Sequence, residues 1–270
     1  MDIPLPPPEH AQTGTLLPLG ECLLPFGEMT FEDLVGVYAR QVAQHEAAGV
    51  EAYCIAPMES MAEARAAVLA VRAVSAKPIW VRLLCNGDGR TAAGSDVLAA
   101  LIVLQGMGIT AFGADCPDEE TARVQLRRLS LHATIPVSVR PEVKLSAALP
   151  PRDPDVIPCA SETEARFITP DVDVGETIDC TPDLLQDILE AEEERPQGAL
   201  KIAILEEDDV DILAENQYAV RDALCLWSDV PELLERGLRV YQGRAFWDGT
   251  GDLEPDFLRA MSRKYGLILL

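Results

Sequence analysis

Basic side chains are scarce in this sequence: 22 Lys and Arg stand against 45 Asp and Glu, a formal net charge of -23 over 270 residues. A chain so poor in positive charge is not built to hold nucleic-acid backbones or anionic membranes, where Lys and Arg supply the affinity. Long apolar runs are missing too. No stretch approaches the roughly 20 uninterrupted apolar residues of a spanning helix. The opening MDIPLPPPEHAQTG has neither a basic segment nor an apolar core, so no secretory signal is read there. Histidine is nearly absent: His10, His45 and His132 fall in a leader, in a helix and ahead of a strand, none at a strand's carboxyl end. There is no CxxC pair and no Gly-rich phosphate loop. The seven cysteines are odd in number and lack the spacing of a disulfide framework, which predicts reduced thiols in a cytoplasmic protein.

What is present is an alternation. Hydrophobic residues make up 48% and charged residues 25%, enough apolar material for a substantial core. After a Pro/Gly-rich leader (residues 1–28), Thr30 opens TFEDLVGVYARQVAQHEAAG with a capping-box spacing to Asp33, and Gly49 ends that helix. Short apolar runs then alternate with helical patterns. VEAYCIAP, PIWVRLLC, ITAFGAD and IPVSVRP read as strands, separated by SMAEARAAVLAVRAVSA, by SDVLAALIVLQGMG capped at Ser95, and by DEETARVQLRRLSLHA. Residues 142–180 break the rhythm, being rich in Pro and Asp, with only ARFITP looking extended. They read as an irregular insertion. The alternation resumes at TPDLLQDILEAEEE, with Thr181 as cap and Pro182 at the first helical position. LKIAILE, ALCLWS, RAFWDG and the terminal LILL follow as strands between helices. The acidic runs LLQDILEAEEERPQG and ILEEDDVDILAE read as a solvated helix face and a helix start. Eight strands separated by helices predict an α/β fold, a (β/α)8 TIM-type barrel over residues 29–270, with an open doubly wound sheet as the alternative.

In parallel α/β folds the side chains at the carboxyl ends of strands face the site. Those ends carry Pro57 to Ser60, Cys85 to Asp88, Asp115 and Cys116, Arg140, Glu206, Ser228 with Asp229, and Asp248. The stretch ITAFGADCPDEE is the pointed case, because an apolar strand delivers an Asp and then a Cys just before Pro117. Cysteines and carboxylates on one rim suit a borderline-soft metal such as zinc, whereas a buried cysteine is also among the commonest core residues. Glu59 reads either as a ligand-facing acid or as a helix-start charge, GDGRT (Gly87–Thr91) as a structural turn, and Trp80, Trp227 and Trp247 as core.

Three blocks in order, GVEAYCIAPMESMAEARAAVLAVR, KPIWVRLLCNGDGRTAAGSD and LQGMGITAFGADC, preceded by PLGECLLPFGEMTFEDL, resemble the core of the homocysteine S-methyltransferase family, which includes the amino-terminal module of cobalamin-dependent methionine synthase. The resemblance spans about residues 15–145. It implies a barrel that binds zinc through cysteine thiolates and methylates a small-molecule thiol such as homocysteine, with residues 29–145 as the family-like half and 181–270 as a second βα half. It implies that Cys116 matches the family's first zinc cysteine, and that Glu59, with Ser60 and Asp115 beside the site, helps hold substrate. The family's GGCCG turn has no counterpart here, its opening DG..GT strand is absent, and Asp115 replaces an Asn. Cys85 and Cys180 are the substitutes considered for the missing ligands, with Cys159 and Cys225 as weaker ones. SDVPELLERGLRVYQGRAFWDG and KYGLILL are similar to the closing units of pterin-binding barrels, with Asp248 where an Asn meets the pterin. Two readings follow: an active thiol methyltransferase with a rebuilt site, its methyl donor a corrinoid, a sulfonium or a methylated pterin, or an inactive barrel that binds or assembles with a corrinoid protein or a methyltransferase subunit.

Overall fold

Helix caps and apolar alternation set the elements of the first unit. In the computed structural model, which describes residues 12–21, 23–145, 148–194 and 198–270, helix α1 (Phe31–Ala47) begins at Thr30. The Thr30 hydroxyl accepts the Asp33 amide while Asp33 receives the Thr30 amide, a closed capping box. The strands β1 (Thr13–Leu16), β2 (Ala52–Met58), β3 (Ile79–Leu84), β4 (Ala111–Asp115) and β5 (Val137–Arg140) form one parallel five-stranded sheet in sequence order. Helices α2 (Met61–Arg72), α3 (Val97–Gly106) and α4 (Glu119–His132) make the crossovers. Tyr53, Ile55, Ile79, Val81, Leu83, Phe112, Ala114 and Val139 alternate onto one face and are almost fully buried. Each aliphatic side chain buried this way contributes about 1.5–3 kcal/mol. The opposite face carries Cys54, Trp80, Arg82, Gly113, Asp115, Ser138 and Arg140, the period-2 partners of the core positions.

The second unit holds β6 (Ile157–Ala160), β7 (Ala165–Ile168), β8 (Thr177–Asp179), β9 (Ala199–Ala203), β10 (Ala223–Trp227), β11 (Phe246–Trp247) and β12 (Ile268–Leu269). The last five form a second parallel sheet in the order β12-β11-β10-β9-β8. Helices α5 (Leu184–Glu194), α6 (Glu207–Asn216), α7 (Pro231–Val240) and α8 (Pro255–Tyr265) alternate with these strands. The two units comprise residues up to 105 with 109–151, and 106–108 with 152–270. The fold class is thus α/β with parallel sheets, and the eight strands read from the sequence all form. Each sheet by itself has edges, β1 and β5 in one and β8 and β12 in the other, rather than the closed ring of a barrel.

Several local expectations are corrected. Part of the leader is ordered: Thr13–Leu16 pairs in register with Ala52–Ile55, a four-residue strand too short to show a period. Residues 1–11, including His10, lie outside the described residues. The insertion contains a hairpin, because Ile157–Ala160 pairs antiparallel with Ala165–Ile168 despite Pro158. Its Cys159 and Ile168 pack on Ala199, Ala223, Cys225 and Phe246. Ser95 does not cap α3. Its amide is taken by the Thr91 hydroxyl, and Asp96 Oδ1 caps instead, accepting the Leu98 amide at 2.9 Å. Thr181 starts a turn, and α5 begins at Leu184. Among the described residues no helix is long and apolar enough to cross a membrane.

Candidate functional site

Strand register brings the expected residues of the first unit together. Leu84 pairs with Asp115 and Asp115 with Arg140, so β3, β4 and β5 end level. The ladder continues one residue further: the Cys85 amide donates to Asp115 O at 2.9 Å and the Cys116 amide to Arg140 O at 2.7 Å. Cys85 and Cys116 therefore stand side by side, with their Sγ atoms 3.6 Å apart. Cys85 is buried and Cys116 is half-buried. The Cys85 S–H donates to Cys116, and this bond, helped by the Arg82 guanidinium, holds Cys116 below the ordinary thiol range against burial and the charges of Asp115 and Asp118. Cys85 is pushed up by the same contact, then by burial and by Asp115 and Asp96. The contact therefore acts on the two thiols in opposite directions, lowering Cys116 and raising Cys85.

Arg82 and Asp115 organise the ground beside them. Arg82 Nε donates to Asp115 Oδ1 at 2.8 Å, its Nη2 also reaches that carboxylate, and Nη1 donates to Ser138 Oγ at 3.0 Å. The guanidinium crosses β4 to do this, which explains Gly113: a Cβ there would lie 2.4 Å from Arg82 Nη1 and 2.8 Å from Cζ. Behind the rim, GDGRT is the structural turn expected. Asn86 Oδ1 accepts the amides of Asp88 and Arg90, and Gly89 sits at φ +76° with the Gln125 side chain packed against it.

The other expected residues have different placements. Glu59 is exposed at the end of β2, where its carbonyl accepts the Ala93 amide. Ser60 is the N-cap of α2, its hydroxyl accepting the Glu63 amide, so its polar atom already serves the helix. Cys180 follows β8 in the second unit. It is buried, its thiol pushed up to about 12 by burial and by Asp209 and Asp179. Cys159 and Cys225 lie in the apolar core of that unit with thiols pushed up to about 12, in both cases first by burial. Asp248 is committed as well: Lys201 Nζ donates to it at 2.6 Å and to Thr250 Oγ1 at 2.8 Å.

Cavities divide in the same way. A groove of about 380 Å³ in the second unit is lined by Glu176, Asp187, Glu190, Glu194 and Asp222, like charges without a nucleophile. A smaller cavity of about 190 Å³ lies on the open face of the first sheet, among Cys54, Trp80, Arg82, Ser138, Arg140 and Glu142. Arg82 lines this smaller cavity, whereas Cys85 and Cys116 are not among its lining residues. Cys54, Trp80 and Ser138 were not singled out as site residues from the sequence. Their signal was the alternation itself, since all three occupy the face opposite the apolar one.

The sequence matches the model of the family described as Homocysteine S-methyltransferase over residues 10–169. It is 31% identical over 105 residues to the methionine synthase of Mycobacterium leprae, an alignment covering 36% of this chain and 8% of that protein. It is similar to the crystal structure of the homocysteine methyltransferase MmuM from Escherichia coli in its apo form, with a TM-score of 0.40 and 18% identity, covering 47% of each chain. The chain therefore spans less than half the length of these relatives.

A zinc ion tests the rim. Two thiolates on one tetrahedral zinc, with Zn–S bonds of about 2.3 Å, stand about 3.8 Å apart, close to the spacing of Cys85 and Cys116. A catalytic zinc needs about three protein donors, and among the described residues no group of three or more His, Cys, Asp or Glu is placed to hold a metal. Asp115, whose charge acts on both thiols, is held by Arg82. The residues present supply two sulfur corners and do not complete the set.

Proposed function

The chain belongs to the homocysteine S-methyltransferase family, and from that premise we propose that it is a divergent thiol methyltransferase working at the carboxyl rim of its first unit. The observation that carries this reading is the 3.6 Å contact at the rim, in which the Cys85 S–H donates to half-buried Cys116 and lowers its pKa. A free thiol has a pKa near 8.5 and is mostly protonated at neutral pH, while only the thiolate is a good nucleophile. Cys116 supplies the base: it accepts a hydrogen bond from the substrate S–H and takes that proton as the substrate sulfur becomes nucleophilic, ending as a thiol. The substrate sulfur then gives its electron pair to the methyl carbon. The bond from that carbon to its donor breaks, and the donor departs with the bonding pair. Homocysteine is the substrate that the family implies, and a corrinoid, a sulfonium or a methylated pterin the class of donor.

Within this reading the Cys85 S–H lowers Cys116 first and Arg82 adds to it, Asp115 holds Arg82 in place, and exposed Glu59 is available to an ammonium group on the substrate. The two parallel half-sheets are read as halves of one (β/α)8-type barrel, residues 29–145 and 181–270, with 142–180 as the insertion. The family typically uses zinc. Here the two-sulfur donor set gives a specific reason for a second reading, a barrel without chemistry that serves as a binding or assembly partner of a corrinoid protein.

The test is methylation by the full chain. Homocysteine is incubated with each donor class, and methionine formation and bound zinc are measured for the wild type and for Cys116→Ala. Methionine formed by the wild type and lost in Cys116→Ala supports the enzyme. No product with any donor, from a folded protein, overturns it in favour of the partner.

A further inference from the structure

The two cysteines at the rim of the first sheet are placed to react with each other. Leu84 pairs with Asp115 in parallel register, so Cys85 and Cys116 are the next opposed positions and leave the sheet on the same side. Neighbouring strands stand about 4.8 Å apart, inside the roughly 4.4–6.8 Å between Cα atoms that a disulfide spans. The sulfurs are 3.6 Å apart. Closing to the S–S bond of about 2.05 Å asks for about 1.5 Å, a shift within the reach of side-chain rotation. Access differs between the two. Cys85 is only 6% exposed, whereas Cys116 is half-buried and open to solvent. A reagent in solution therefore meets Cys116 first, and the thiol already in contact with it is Cys85. An accessible cysteine beside a resolving partner is the arrangement of redox-sensing thiols.

We propose that Cys85 and Cys116 form a reversible disulfide when a hydroperoxide oxidises Cys116, with Cys85 as the resolving thiol. In the first step the Cys116 sulfur attacks one peroxide oxygen and the O–O bond breaks. The departing oxygen leaves as water with the Cys116 proton when the peroxide is hydrogen peroxide, and Cys116 becomes a sulfenic acid. In the second step the Cys85 sulfur attacks the Cys116 sulfur. The S–S bond forms, the S–O bond breaks, and a second water leaves with the Cys85 proton. The two sulfurs lose two electrons in all and the peroxide takes them. An external dithiol returns two electrons and two protons by thiol–disulfide exchange. Burial of Cys85 keeps it from other partners, so the sulfenic acid is resolved within the chain. The proposal rests on proximity and access alone. A disulfide would also remove the base of the proposed methyl transfer, and only that consequence depends on the proposed activity.

The experiment treats the reduced full chain with rising hydrogen peroxide, blocks the remaining thiols with iodoacetamide in denaturant, and weighs the peptides of a digest made without reductant. The expected product is one pair of peptides joined through Cys85 and Cys116, with the loss of both from the alkylated pool and their full recovery after dithiothreitol. In Cys85→Ser the link cannot form, and Cys116 is expected to go on to the sulfinic acid, which dithiothreitol does not reverse. Should that variant fail to fold, the wild-type peptides still decide. Three results overturn the proposal: Cys116 of the wild type passing to sulfinic acid unlinked, Cys116 linked to a different cysteine, or both thiols surviving peroxide that oxidises free cysteine in the same tube. These readouts need no turnover, so they stand or fall apart from the methylation assay.

Discussion

Gly113→Ala is the sharpest perturbation of the site that does not touch a reactive group. The added Cβ would lie 2.4 Å from Arg82 Nη1, 2.8 Å from its Cζ and 3.2 Å from Ser138 Oγ. Backbone flanks it, so the guanidinium must yield by about 1 Å, which removes the 3.0 Å bond to Ser138 and distorts the pair with Asp115. Hydrogen bonds to charged groups are worth about 1.5–3 kcal/mol each, and breaking a fully buried pair costs about 3–5 kcal/mol. The side chains of Arg82 and Asp115 are 15% and 18% exposed, which places the cost toward the lower end, about 2–3 kcal/mol. Urea unfolding of the wild type, Gly113→Ala, Arg82→Ala and the double variant measures it as a cycle. If the clash with Arg82 is the cause, Gly113→Ala costs under about 1 kcal/mol once Arg82 is gone. Additive costs, or a neutral Gly113→Ala, refute the reasoning.

Cys85→Ala removes the S–H that stabilises the Cys116 thiolate, and the Cys116 ionisation midpoint should rise by about 1–2 pH units, from the roughly 1.5–3 kcal/mol of a charge-assisted hydrogen bond. Peptide-resolved alkylation across pH checks this. Gly89→Ala combines a positive φ with a Cβ 2.2 Å from the Gln125 amide, so a loss of about 2 kcal/mol is expected in denaturant unfolding. In the second unit, burial tends to raise the Asp248 carboxyl, but Lys201 and Thr250 outweigh it and hold it below its usual value. The stability from a depressed carboxyl is complete above its unfolded pKa, about 3.9, and is lost as pH falls through the folded value. Lys201→Met should therefore destabilise at pH 7 by about 3 kcal/mol and flatten the stability profile below about pH 4. An unchanged profile counts against the pairing.

The parallel strands were legible because their apolar runs are continuous and bounded by turn residues, as VEAYCIAP and ITAFGAD show. What escaped had no period to read. Thr13–Leu16 is a four-residue edge strand, and Ile157–Ala160 contains a proline that reads as a breaker yet pairs antiparallel with Ala165–Ile168. Cys116 and Cys85 were findable because both follow strand ends, and register then sets them side by side. Cys180 was singled out by its turn context, and it lies at the end of β8 in the second unit, where burial first pushes its thiol up to about 12. Ser60 and Asp248 illustrate a further limit, since a polar residue at a strand end is equally suited to capping a helix or pairing with a lysine two strands away. Only the fold reveals which demand is met.

The proposed mechanism depends on Cys116 being held below the ordinary thiol range by its contact with Cys85. Alkylation of the intact protein with iodoacetamide from pH 5 to pH 10, resolved peptide by peptide, tests it directly. The account predicts that Cys116 reacts with a midpoint below the ordinary thiol value of about 8.5, while Cys85 stays unmodified through that range. A Cys116 midpoint at or above that of a free thiol, or Cys85 reacting first, would contradict it.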